Sequence, residues 1–171
     1  MERKIIKVIV AVVAIICGAS QAHAQKGESC FGIQAGFTTK NTSATIDLFY
    51  QYGLSNRVRI TPEVGFILRH KNMDAFRANV NVHYTIDIVA ENNLQIYPIA
   101  GLNFTSWNLM KIVTPEESKD VSTRSNKFGF NLGAGFQMKV TRNMKLKFEP
   151  IYTFTSKYST FTMTLGIGYV F

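Results

Sequence analysis

The sequence predicts an all-β fold, an eight-stranded antiparallel up-and-down β-barrel preceded by a cleavable signal peptide. Three observations lead to this prediction. Apolar and other residues alternate along most of the chain after residue 30, which is the pattern of strands with one apolar face. Segments rich in Asn, Gly and Lys separate the alternating stretches. The 171 residues suit one domain, and 46% hydrophobic against 18% charged residues excludes a disordered chain.

The N-terminal segment, residues 1–24, has the three parts of a secretory signal peptide. Its first residues are basic, residues 5–16 are almost entirely apolar, and a small-x-small cleavage site ends at Ala24. Cleavage there leaves a barrel domain over residues 25–171. A lipoprotein leader is the less favoured alternative, because a bulky isoleucine rather than a small residue precedes Cys17, which would carry the lipid.

Four strands are predicted in the first half of the barrel domain. The segment 31–37 alternates Phe, Ile and Ala with Gly and Gln, and the segment 45–52 alternates Ile, Leu and Tyr with Thr, Asp and Gln, except at Phe49. The segment 58–69 alternates Val, Ile and Phe with Arg, Thr and Glu. The segment 76–87 alternates Phe, Val and Tyr with Arg, Asn and His.

Four more strands are predicted at residues 94–105, 127–139, 144–154 and 160–171, again from alternation. The segments are about as long as the ~9–11 residues that a tilted membrane strand needs. Short connections that contain Asn alternate with loop tips of more varied length, and the stretch 107–125 is predicted to be the longest loop. Short turns at one end and longer loops at the other are typical of outer-membrane barrels.

Three prolines, Pro62, Pro98 and Pro150, recur at similar places on the apolar faces of three segments and make a weak internal repeat. Proline has no N–H for the ladder and usually lies at sheet edges or bulges. We therefore expect a local bulge at each of them.

The apolar face is predicted to face lipid rather than the inside of a soluble, lipocalin-like barrel. An eight-stranded barrel is just wide enough inside for side chains to fill, and the large apolar residues would overfill it. The opposite face carries many glycines and charges of both signs, which can pair in a narrow lumen. The barrel is therefore predicted to be transmembrane, with a polar lumen network of Arg59, Glu63, Arg77, His83, Lys147 and Glu149.

The C-terminus resembles the assembly signal of outer-membrane proteins, with Thr164, Gly166, Tyr169 and the terminal Phe171 at the matching positions. With the leader and eight strands, the chain from residue 25 resembles the small OmpA/OmpX-type, porin-like outer-membrane β-barrel family. The resemblance implies an integral protein of a Gram-negative outer membrane, exported through the periplasm. It also implies periplasmic chaperones and the outer-membrane barrel assembly machinery as partners, but no single activity.

The function predicted from these features is a non-enzymatic barrel with a structural or surface-interaction role through its extracellular loops. Porin-like passage of small solutes is the alternative, and a lipid-modifying enzyme is less favoured because outward positions near the rim carry no Ser or His for a nucleophile–base pair. No cofactor or metal is expected, since His83 stands alone on its face and Cys30 is the single cysteine after the leader.

The net charge of +8 raises the question of an acidic partner. Export disfavours nucleic acid, whereas basic residues at the loop ends suit the phosphates of lipopolysaccharide in the outer-membrane lipid. A merely solvated rim is the open alternative. The possible lipopolysaccharide contacts are Lys40, Arg69, Lys71, Arg124, Lys127 and Lys157.

Overall fold

The structure, a computed structural model, describes residues 26–39, 42–70, 73–89, 94–111, 121–156 and 159–171. Strands make up all the regular secondary structure in these ranges. None of these residues belongs to a helix that is long and apolar enough to cross a membrane. The predicted signal peptide and its cleavage site lie outside the described residues.

The strands form one closed antiparallel barrel. They are β1 (Ser29–Thr38), β2 (Ser43–Gly53), β3 (Val58–His70), β4 (Met73–Tyr84), β5 (Ile86–Val89), β6 (Leu94–Lys111), β7 (Val121–Thr141), β8 (Met144–Thr155) and β9 (Thr160–Val170). β1 hydrogen-bonds both β2 and β9, and each remaining strand pairs with its neighbour in the chain, so the sheet has no free edge. β4 and β5 pair with β6 in one continuous register, so they are two parts of a single barrel strand interrupted at Thr85. The predicted eight-stranded fold is therefore confirmed.

The β6–β7 hairpin is longer than the sequence pattern indicated, so the predicted loop bounds of 107–125 were wrong. Residues 107–111 and 121–125 belong to the two strands, and residues 112–120 lie outside the described residues. The two strands remain paired from Leu94↔Met138 out to Lys111↔Val121. Beyond Phe104 and Phe128 the outward positions Ser106, Asn108, Arg124 and Asn126 are polar, so the expectation that outward positions near the rim carry no Ser was wrong. The apolar-outside alternation ends there because the outward positions are polar and the inward residue Trp107 is apolar, whereas the backbone ladder continues.

The prolines keep the strand register, so the prediction of local bulges was also wrong. Pro62, Pro98 and Pro150 each keep a partner on one neighbouring strand. On the other side a pair is missing opposite each proline, while the pairs that flank the gap stay in register. Loss of the proline N–H thus opens the ladder on one side without inserting a residue. The register shifts occur instead near the ends of strands.

The two faces of the wall differ as the alternation predicts. Large apolar side chains are exposed on the outside, including Phe128 at 79%, Phe66 at 57% and Tyr169 at 56%. The inside holds Gln, Asn, Thr, Arg, Lys and Glu side chains that are buried. Phe49, the exception in the second segment, obeys the period after all, because it lies inside the barrel and is 2% exposed. The lumen is therefore the site where polar groups converge.

Candidate functional site

Side chains from the described strands and from Glu28 fill the lumen, and the charged and large polar ones lie in three levels along the barrel axis. The level nearest the first and last described residues is closed by Glu28, which pairs with Lys145 and lies 3.3 Å from the Lys139 ammonium. Burial alone would raise the pKa of the Glu28 carboxyl, but the hydrogen bond and charge of Lys145 hold that pKa below its ordinary value. Glu28 is therefore a carboxylate at neutral pH.

Beside it, a chain of polar contacts crosses the same level of the lumen. The Arg59 guanidinium donates to the side-chain amide oxygen of Gln95 at 3.0 Å, and the Gln137 side-chain amide donates to the same oxygen at 2.7 Å. Gln95 in turn donates to the Asp87 carboxylate at 2.6 Å. Arg59 is 3% exposed, so its charge is held by these side chains and not by bulk water.

The middle level is built around Lys147. Its ammonium lies 3.0 Å from the Glu149 carboxylate and 3.6 Å from that of Glu63, and all three side chains are almost fully buried. The Tyr97 hydroxyl donates to the other oxygen of Glu149 at 2.8 Å. His83 stacks on the Tyr97 ring with 4.7 Å between centroids. We call these five residues the central cluster.

The apolar residue Phe49 completes the middle level. Its ring centroid lies 3.6 Å from the Lys147 ammonium, in a cation–π arrangement. Gly32 and Gly168 flank this ring so closely that a Cβ on Gly32 would clash with it, and one on Gly168 would lie 3.1 Å from it. Gly135 leaves space for the Tyr97 ring in the same way. The lumen glycines thus make room for the large side chains of neighbouring strands.

The third level, toward the loops, is an ion pair followed by an amide network. Arg77 donates two hydrogen bonds to the Asp47 carboxylate, at 2.6 and 2.5 Å. Asn79 donates to Glu63 at 3.1 Å and accepts from Asn103 at 2.7 Å. The amide network therefore connects the third level to the central cluster.

At the loop end, the lumen closes with apolar side chains. Trp107, Ile67 and Ala75 pack together, each no more than 3% exposed, and Met73 packs against them. Trp107 lay within the stretch that the sequence suggested was a loop, and Ile67 was not assigned to the lumen. No sequence signal marked this cluster, because inward apolar residues break the polar pattern of the lumen face.

A groove of about 490 Å³ lies on the outer wall at the same end, and we call it the rim groove. Phe66, Phe76 and Phe104 line its membrane side. Its far side is polar and includes Arg124 and Asp74. The groove therefore combines an aromatic floor with a cation near the level where lipid headgroups meet loops.

The structure separates the six basic residues suggested for lipopolysaccharide. Lys40, Lys71 and Lys157 lie outside the described residues. Arg124 lines the rim groove. Arg69 is at the rim, 3.1 Å from Asp74, which lines that groove. Lys127 alternates with the exposed Phe128 and faces the lumen, so it is turned away from the lipid.

The assembly-signal residues lie on β9 and just after it. Thr164 and Gly166 face the lumen, whereas Tyr169 and Phe171 are exposed at 56% and 68%.

The described residues contain no group of three or more His, Cys, Asp or Glu that could hold a metal ion. The His83 ring stacks on the Tyr97 ring, and its Nδ1 atom lies 3.4 Å from the Thr61 hydroxyl.

The family model described as outer membrane protein beta-barrel domain matches residues 8–171 of the chain. No curated protein matches the chain at a significant level.

Solved structures of outer-membrane barrels resemble the fold over nearly their whole length. The N-terminal β-barrel domain of Pseudomonas aeruginosa OprF is 19% identical, with a TM-score of 0.60, and 85% of this chain and 99% of that chain are covered. Ail, the attachment invasion locus protein of Yersinia pestis, is 17% identical, with a TM-score of 0.60 and coverage of 86% and 100%. Neisserial surface protein A is 10% identical, with a TM-score of 0.65 and coverage of 86% and 98%. Ail has also been solved in complex with the heparin analogue sucrose octasulfate.

Proposed function

Because the chain belongs to the outer membrane protein β-barrel family and is an integral protein of a Gram-negative outer membrane, we propose that it is a non-enzymatic barrel with a structural or surface-interaction role. Its interactions with partners are made at the extracellular end and on the outer wall. The observation that carries the proposal is the central cluster, in which Lys147 bridges two carboxylates across the middle of the lumen.

A filled lumen favours this role over solute passage. The interior of an eight-stranded barrel is only wide enough for side chains to fill. An ion or solute would have to separate Lys147 from Glu63 and Glu149, and breaking a buried pair costs about 3–5 kcal/mol. The Phe49 ring beside Lys147 adds an apolar obstruction at the same level.

Planar-bilayer recording of the purified barrel tests the closed lumen. We expect no steady conductance from the natural sequence. A variant with Phe49→Ala, Lys147→Ala and Glu149→Ala serves as the control, because it truncates three of the six large side chains that fill the middle level, and it should conduct. Steady conductance of the natural barrel would contradict the proposal and support porin-like passage. A changed lipid A mass in overexpressing cells would contradict the non-enzymatic role.

Lipopolysaccharide is the partner that we propose for the rim groove. The aromatic floor suits acyl chains and Arg124 suits a phosphate, and the sulfated ligand of Ail is an example of an anion held by a barrel of this fold. Arg124→Gln should weaken binding of purified lipopolysaccharide about fivefold, the effect of roughly 1 kcal/mol per surface cation. Arg142→Gln, in the turn at the opposite end, is the matched control. Equal effects of both changes would refute the site.

We also propose that the protein is exported by a cleaved signal peptide and inserted into the membrane by the barrel assembly machinery. Cleavage after Ala24 predicts that the mature protein begins at Gln25, which N-terminal sequencing checks. Tyr169 and Phe171 are exposed on one side of the C-terminal strand and are therefore accessible to the barrel assembly machinery. Phe171→Ala should leave unfolded protein with periplasmic chaperones, whereas normal amounts of folded barrel in the membrane would contradict this role.

A further inference from the structure

The outer wall has a second groove, of about 390 Å³, at the place where two of the three prolines open the strand ladder. Pro98 and Pro150 line it on either side of Ala134, and Phe136 and Phe148 extend it. We call it the proline groove. Its volume lies in the range of ~300–1,000 Å³ that is usual for ligand sites.

The proline groove forms where a strand pair is missing and the side chain between the two prolines is small. Ala134 pairs with Pro98 on one side, but its pair with Pro150 on the other side is missing. Two residues that face the lumen, Tyr97 and Gly135, also contribute to its lining. The small Ala134 side chain, next to the missing pair with Pro150, therefore leaves a concave apolar surface on the outer wall.

A cation stands at one edge of the proline groove. Tyr84 lines the groove, and its hydroxyl lies 3.2 Å from the Arg57 guanidinium. Arg57 precedes β3 in the short β2–β3 connection, at the end of the barrel where the described residues begin and end. Short connections lie on the periplasmic side of outer-membrane barrels, so this edge is at the periplasmic surface.

The distance along the membrane normal from Ala134 to the periplasmic end of the barrel is close to the thickness of one leaflet. Seven residues separate Ala134 from the end of β7 at Thr141, which is roughly 23 Å along the strand and about 18 Å along the membrane normal at the usual tilt. A leaflet contributes about 15 Å of hydrocarbon. The groove thus runs from the headgroup level at Arg57 toward the ends of the acyl chains.

We propose that the proline groove holds one anionic phospholipid of the periplasmic leaflet, with an acyl chain against Pro98, Ala134 and Pro150 and the phosphate at Arg57. The guanidinium presents several N–H donors in a fork that suits phosphate, and it keeps its bond to Tyr84. This site is separate from the rim groove, which lies at the other end of the wall. It also gives two of the three strand prolines a role in shaping the wall.

Native mass spectrometry of the barrel, with phosphatidylglycerol and phosphatidylethanolamine in equal amounts, tests the site. We expect one retained lipid and a preference of about fivefold for phosphatidylglycerol, the effect of roughly 1 kcal/mol per cation at the surface. Ala134→Phe fills the groove and should abolish retention. Ala35→Phe, on the outward face of β1, is the matched control and should retain the lipid.

The headgroup contact has its own pair of variants. Arg57→Gln should remove the preference for phosphatidylglycerol, whereas Arg142→Gln, an exposed arginine in the β7–β8 turn, should keep it. Arg57→Lys should keep most of it, because the charge remains. Equal retention by the two phenylalanine variants, no headgroup preference, or a dimer in place of the lipid adduct would each overturn the proposal.

Discussion

Replacing Lys147 with Met tests whether the central cluster holds the barrel together. The substitution removes the ammonium but keeps a side chain of similar length, and it leaves the almost fully buried Glu63 and Glu149 without the cation that they share. Removing one partner of a buried ion pair costs about 3–5 kcal/mol. The equilibrium constant for unfolding should therefore rise by about two to three and a half orders of magnitude.

The assay is denaturant unfolding in lipid vesicles, followed by tryptophan fluorescence. Trp107 is the single tryptophan of the chain and is 3% exposed in the folded barrel, so its emission should shift when the strands separate. Arg69→Gln is the control, because it breaks the Arg69–Asp74 pair, whose side chains are 54% and 33% exposed. An exposed pair of this kind contributes about 0.2–1 kcal/mol.

A rescue variant separates charge from packing. Adding Glu63→Gln and Glu149→Gln to Lys147→Met removes the repulsion between the carboxylates, so it should recover more than half of the lost stability. If Lys147→Met costs no more than the Arg69→Gln control, the central cluster does not stabilise the barrel. If the rescue variant is as unstable as Lys147→Met alone, the cost arises from packing and the electrostatic reasoning is wrong.

Three further changes test other parts of the lumen by the same unfolding assay. Glu28→Gln should cost about 2 kcal/mol at neutral pH. Because the folded-state pKa of Glu28 lies below 4.5, this stabilisation is present above pH 4.5 and is lost as pH falls through the folded pKa, so a cost independent of pH would contradict the pairing with Lys145. Gly135→Val should cost about 1–3 kcal/mol by pressing on the Tyr97 ring, with Ala134→Val on the outward face as a near-neutral control. Phe49→Ala should cost about 3–5 kcal/mol, and Phe49→Leu less than half of that, unless the ring does not fill the lumen.

The strand period divided the side chains into two faces, and the volume of the large apolar residues, which would overfill an eight-stranded lumen, predicted that the apolar face meets lipid. The period placed Arg59, Arg77 and Lys147 on the face opposite the large apolar residues, because side chains alternate strictly along a strand. Their partners could not be predicted in the same way. Whether Arg77 meets Asp47 depends on the register of two strand pairs, and a single chain's periodicity carries no information about that register.

Other members of the site were missed for definite reasons. Glu28 precedes the first apolar residue of β1, so it fell outside the alternating pattern that defined the first strand. Tyr97 and Ile99 face the lumen in a stretch where apolar residues occupy both faces, and each is 1% exposed. A run of apolar residues on both faces within an otherwise alternating strand could have signalled that the lumen there is not wholly polar.

The lumen also accounts for why the barrel closes in one register. A slip of two residues between neighbouring strands keeps every outward apolar side chain in the lipid, so the outer face alone does not distinguish the two registers. The inner face does distinguish them, because a slip would move Gly135 away from the Tyr97 ring and Asp47 away from Arg77. The clash and the unpaired buried charge would each cost several kcal/mol. The outward apolar side chains therefore determine which face of each strand meets lipid, and the lumen side chains determine the register between neighbouring strands.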